Sequence, residues 1–245
     1  SIGTIFLAAN EKCMSKKGIF GLLLAVGIPV AAYMIVKYAS EDAINMPRHY
    51  FFDSVSEKTV KGKLVKDTVW HKVENFTFTN QLGKLVSADS LKGKILVVDY
   101  FFTRCPNPCP TLTRNMKKMQ DAFLKTDSLV HFISFSVDPA RDTVEALKRY
   151  ADKYKVRHSN WWFLTGEKKA IYDLAYNEFK AATIDGGEID TAFLHTSKFY
   201  LLDKDRVIRG WYDGTDTLAM AKMARDIGLL FLEKDKKKKR NLFRK

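Results

Sequence analysis

The chain has 245 residues, 46% of them hydrophobic and 13% aromatic, which is enough for one full core or a core with a small appendage. Three cysteines in that length exclude a disulfide-stapled fold and leave Cys105 and Cys109 available for chemistry. The formal charge of +13 owes +7 to residues 234–245; elsewhere lysines alternate with acids and apolars, as in KKMQDAFLK, so no nucleic-acid partner is expected.

Residues 1–17 read as an N-terminal cytoplasmic segment. Within it MSKKGIF resembles a natural start, which makes 1–13, and with them Cys13, upstream sequence. Between Lys17 and Lys37 lie nineteen uncharged residues, GIFGLLLAVGIPVAAYMIV. As a helix at about 1.5 Å per residue they span about 28 Å, the thickness of a bilayer's hydrocarbon. A buried core helix normally carries a polar stripe, and none is present here. Residues 18–37 are therefore expected to be a transmembrane anchor, retained because Lys37-Tyr38-Ala39 makes a poor cleavage site. Lys12, Lys16 and Lys17 against Lys37 and Arg48 orient the soluble part to the extracytoplasmic, periplasmic side.

Residues 38–69 read as a polar linker, 70–232 as the globular domain and 233–245 as a basic disordered tail. Residues 70–86 alternate like a hairpin, and KILVVDYFF reads as a strand buried on both faces. Pro110 suits a first helical turn, and Leu112, Met116, Met119 and Phe123 form one apolar face after it. Next come the strand LVHFISFSV, a helix opening at Asp142 with Glu145 as its capping-box partner, the strand WWFLTG and a helix through IYDLAYNEF. HTSKFYLLD and RVIRGWYDG form an antiparallel pair, and TDTLAMAKMARDIGLLFL closes the chain as an amphipathic helix. Strands alternating with helices in this order predict an α/β, thioredoxin-like fold with an N-terminal hairpin.

The stretch RCPNPCP follows the buried strand and puts Cys109 at a helix N-terminus. The unpaired N–H groups and dipole there are expected to lower a thiol pKa, with Arg104 assisting. Cysteines four apart on one helical turn converge either on each other, as a disulfide, or on one soft metal ion. Thioredoxin-type redox enzymes have two intervening residues and a proline before the facing strand; this chain has three and, in AFLHTSKFYLLD, His195 and Thr196. Two thiolates and an imidazole suit copper, as Cu(I) or Cu(II), and zinc remains chemically allowed.

C-P-x-x-C-P after a buried strand, SVDPARDT after the next and LHTSKFYLLD later resemble the Sco/SenC family of copper-binding proteins over roughly residues 70–232. The resemblance implies a membrane-anchored thioredoxin-like domain that handles copper for the binuclear copper centre of cytochrome c oxidase. One copper ion would be held by Cys105, Cys109 and His195, with the oxidase's copper-bearing subunit or another acceptor as partner. Asn107 stands where the family usually carries an acid, and Pro108 where it carries a β-branched residue.

Asp138 ends the second core strand and is an auxiliary candidate near the metal, weighed equally against starting the Asp-Pro turn; Asp142 is read as an N-cap outside the site. Met116 and Met119 fit a core face better than thioether ligation, and His131 fits a core histidine. Peroxidase chemistry is excluded because Phe102 stands where a thiol peroxidase carries Thr or Ser. Two readings run beside the metallochaperone: a thiol-disulfide reductase with Cys105 and Cys109 as its redox-active pair, and a copper or redox sensor.

Overall fold

The computed structural model describes residues 16–41, 46–60, 63–126, 128–181 and 196–233; His195, Cys13 and the basic tail lie outside these described residues. The chain divides into two units, Ser1–Asn45 and Met46–Lys245. In the first, helix α1 (Lys16–Glu41) is long and apolar enough over Phe20–Tyr38 to cross a membrane, and the apolar side chains of Phe20, Leu23, Ile28 and Ile35 are exposed.

The second unit opens with a structure the sequence did not suggest. Within 38–69, expected as linker, strands β1 (Phe52–Val60) and β2 (Lys63–Trp70) pair antiparallel as a separate two-stranded sheet. Isolated hairpins are marginal in water, and this one is fastened at its base. His49 stacks on Trp70 at 4.7 Å, Tyr50 packs on Trp211 at 4.4 Å, and the His71 ring bonds Asp53 at 2.8 Å and the Glu178 carbonyl at 3.2 Å.

The main sheet has seven strands in the order β4-β3-β7-β6-β5-β8-β9. They are β3 (Thr77–Asn80), β4 (Leu85–Ser87), β5 (Ile95–Phe101), β6 (Val130–Ser136), β7 (Trp161–Thr165), β8 (Lys198–Leu202) and β9 (Ile208–Asp213). β5, β6 and β7 run parallel, and the flanking pairs are antiparallel. The hairpin expected in 70–86 is β3–β4, and the element order is the thioredoxin-like one. All seven residues of β5 and of β6 are buried, as strands covered on both faces require.

Side chains alternate across β5. Ile95, Val97 and Phe101 meet Leu112, Met116 and Met119 of α2 (Cys109–Ala122), Leu147 of α3 (Val144–Lys153) and Ile227 of α5 (Thr217–Leu232). Leu96, Val98 and Tyr100 meet Ile171 of α4 (Lys168–Asp173) and Leu174, where that helix widens into a π turn over Leu174–Glu178. Met116 and Met119 are thus core residues. His131 lies on the second face, edge-on to Trp162, and burial with the Lys94 charge lowers its pKa from 6.5 to about 3. Arg209, 2% exposed, ties the unit's ends together: its guanidinium donates to the Pro47 carbonyl at 2.7 Å, Asp203 at 2.9 Å and Glu233 at 2.6 Å.

Candidate metal centre

β5 is an inner strand between β6 and β8, and where it stops the parallel neighbour β6 stops with it, Phe101 opposite Ser136. The Val137 N–H donates to the Phe101 carbonyl at 2.9 Å and closes the sheet at that level. The chain then turns away through residues 102–108, with Cys105 N–H donating to the Phe102 carbonyl at 3.2 Å. Regular structure resumes at Cys109, the first residue of α2. Pro108 is the cap residue and offers no side-chain acceptor; its carbonyl takes the N–H groups of Thr111 at 2.8 Å and Leu112 at 3.1 Å. The Asn107–Pro108 peptide is cis.

Neither cysteine is in a disulfide and both are buried, Cys105 at 5% and Cys109 at 4% exposure, packed with Phe101, Leu112 and Phe102. They are hydrogen-bonded to one another. Two soft donors side by side in an apolar surround can close into a disulfide or present one bidentate face to a thiophilic cation. The expectation of a lowered thiol pKa fails for Cys109. Burial pushes its thiol up, the hydrogen bond and charge of Cys105 and the charge of Asp99 push the same way, and only the Phe102 N–H opposes them. Desolvation and a like-charged neighbour outweigh the helix terminus. Arg104 is solvent-exposed.

Asp99 is the residue that sequence reasoning passed over. It lies on β5, 2% exposed, on the same face as Phe101 and the cysteines; Ser134 hydrogen-bonds it, yet its Oδ1 has no partner among the described residues. Burial raises its pKa from 3.8 to about 7. A single acid inside the run KILVVDYFF was the available signal, since a lone carboxyl in a doubly buried strand is rare without a task. Behind the cysteines, the Thr113 hydroxyl donates to the Cys109 carbonyl at 2.9 Å and lies 2.8 Å from the Tyr150 hydroxyl, which anchors the first turn of α2 to α3.

The two acids weighed in the sequence take separate places. Asp138 forms an ion pair with Arg141 at 3.3 Å, and its carbonyl accepts the N–H groups of Arg141 and Asp142, which is the turn-forming role. Asp142, expected as the cap of α3, is not one. Thr143 caps that helix by accepting from the Ala146 N–H, while the Asp142 carboxylate is buried and accepts from Thr103 and Ser136. His195 falls outside the described residues; its neighbour Thr196 is buried, and β8, which follows, runs antiparallel beside β5 with Tyr200 opposite Val98.

The SCO1/SenC family profile matches residues 67–229, a span that holds both cysteines and the whole seven-stranded sheet and leaves β1 outside. A curated relative, the SCO1 protein homolog of Bacillus subtilis, is 38% identical over 156 residues, 63% of this chain and 80% of that protein. The solved structure of BsSco, described as a member of the Sco family of cytochrome c oxidase assembly proteins with a disulfide switch, is 36% identical. Its TM-score is 0.56, with 66% of this chain and 95% of that one covered. Bradyrhizobium japonicum ScoI, solved with copper bound, is 27% identical at a TM-score of 0.50, covering 63% of this chain and 98% of that one. With the profile spanning well over half of the residues, and the cysteine loop and the sheet that carries it both inside the match, the chain belongs to the SCO1/SenC family.

Proposed function

We propose that this chain binds one copper ion through the thiolates of Cys105 and Cys109 and the imidazole of His195, and passes it to the copper-bearing subunit of cytochrome c oxidase or another acceptor. The observation that carries the reading is the pair of buried, mutually hydrogen-bonded thiols at the end of β5. Their softness selects copper over hard cations. Because Tyr200 is opposite Val98 in an antiparallel pair, the residues before Lys198 lead toward the end of β5 where the cysteine loop begins, and His195 immediately precedes Thr196. Copper in ScoI of Bradyrhizobium japonicum supports the choice of metal. On this reading α1 anchors the domain to the membrane, with the site on the extracytoplasmic side.

Reduced protein is expected to take up one copper ion per chain, and Cu(II) loading to give a sulfur-to-copper charge-transfer band; both are lost in Cys105→Ala and His195→Ala. Unchanged copper affinity in His195→Ala refutes the ligand set. The hydrogen bond between the thiols also favours a second reading, a thiol-disulfide reductase working on the acceptor's cysteines. That activity needs Cys105 and Cys109 but tolerates His195→Ala.

A further inference from the structure

We infer that Asp142 is a positioning residue for Cys105, an inference that rests on the thiol pair being the working site. The Asp142 carboxylate is 1% exposed and accepts at both oxygens. Its Oδ1 takes the Thr103 hydroxyl at 2.6 Å, and its Oδ2 takes the Thr103 N–H at 3.1 Å and the Ser136 hydroxyl at 2.5 Å. Three donors converging on one buried carboxylate are charge-assisted bonds in a low-dielectric setting, the strong kind.

What these bonds join gives them their role. Thr103 stands two residues before Cys105 in the turn that leaves β5, and Ser136 is the last residue of β6, opposite Phe101. Asp142 therefore pins the outgoing turn to the end of the neighbouring strand. Cys109 is held separately, by α2 and through Thr113 and Tyr150. The two sulfurs thus hang from different supports, and the Asp142 carboxylate fixes the support of Cys105 relative to that of Cys109. A dithiol's tendency to close, and its fit to a two-sulfur metal grip, both depend on how narrowly that relation is held. Loosening the Cys105 side lowers the effective concentration of one thiol toward the other and spares the cysteines themselves.

The test uses the full chain in detergent and reads the equilibrium in which two protein thiols and one glutathione disulfide give the protein disulfide and two glutathione molecules. Asp142→Ala and Thr103→Val are each expected to lower the constant for closing the Cys105–Cys109 disulfide about tenfold, about 30 mV for this two-electron couple. The double variant is expected to be no worse than Asp142→Ala alone, and Asp142→Asn, which keeps one acceptor oxygen, to recover part of the loss. Glu145→Gln, on the first turn of α3, serves as control and leaves the constant unchanged. Should Asp142→Ala fail to fold, Thr103→Val carries the test, and a wild-type constant in a folded Thr103→Val overturns the inference. Additive losses in the double variant overturn it too, since they place Thr103 and Asp142 on separate routes. Copper titration of the same proteins is scored separately: wild-type protein that binds no copper refutes the copper reading and leaves the disulfide constant as the measure of Asp142.

Discussion

Asp99 offers the sharpest energetic test of how the cysteine site is built. Its carboxyl is buried against Ser134 with one oxygen unpartnered among the described residues, and burial lifts its pKa from 3.8 to about 7. A carboxyl whose folded pKa lies above its unfolded one keeps its proton in the native state while the unfolded chain has already lost it. Native stability therefore falls as pH rises from about 4 through about 7 and levels off above that. At about 1.36 kcal/mol per pH unit, the cost at pH 8 is on the order of 4 kcal/mol. Asp99→Asn keeps the shape and a partner for Ser134 but has nothing to ionise. Urea unfolding of reduced, metal-free wild type and variant between pH 4.5 and 8.5 should show the two close at the acid end. The variant should pull ahead by a few kcal/mol at the alkaline end. A difference that stays constant with pH, or an Asp99→Asn variant weaker than wild type at pH 8, refutes the reasoning.

His131 produces the opposite slope from the other face of the sheet. Its ring nitrogens are buried without partners among the described residues and its folded pKa is about 3 against an ordinary 6.5, so the unfolded chain protonates first and stability is lost as pH falls through 6.5 toward 3. His131→Phe is expected to remove an acid liability of up to about 5 kcal/mol and to move the acid-unfolding midpoint downward, read by circular dichroism; an unmoved midpoint counts against it. Gly214 is close-packed: an added Cβ meets Leu112 Cδ2 at 2.6 Å and Phe199 at 2.7 Å. Gly214→Ala is thus expected to cost about 1–3 kcal/mol by overpacking, measured as a lowered urea midpoint at unchanged slope.

How much of this was legible in the sequence depends on which range of interaction decided each feature. β5 and β6 were legible because KILVVDYFF and LVHFISFSV are short apolar runs, too short for a helix that spans a core or a membrane and rich in β-branched and aromatic residues, as a strand covered on both faces is. The face of α2 was legible from the spacing of Leu112, Met116 and Met119, all buried. The β1–β2 hairpin was not, because Phe52, Val55, Leu64 and Val69 are all exposed and no burial pattern marks them. Its base is fixed by partners as remote as Trp211 and Glu178. The start of α3 was misread by one residue. Asp142 and Thr143 are both good caps locally, and Asp142 was drawn away by Thr103, which is 39 residues distant.

The same conflict between local and tertiary preference explains the site itself. Taken alone, a cysteine opening a helix should be an acidic thiol. Folded, Cys109 sits among Phe102 and Leu112, beside another thiol and near a carboxyl that itself resists ionising. Burial holds the proton on the Cys109 thiol and, below about pH 7, on the Asp99 carboxyl. On the copper reading proposed above, a cation would supply the positive charge that offsets this burial, and its binding to the thiols would release protons. The buried polar side chains Asp99, Thr113, Ser134, Ser136 and Asp142 lie around this loop, while others, among them Asn80, Gln120, His131, Arg209 and Asp226, are buried elsewhere in the domain. Proteins break their own packing rules where function demands it. Several of these departures lie between the ends of β5 and β6 and the first turn of α2, where the thiols are.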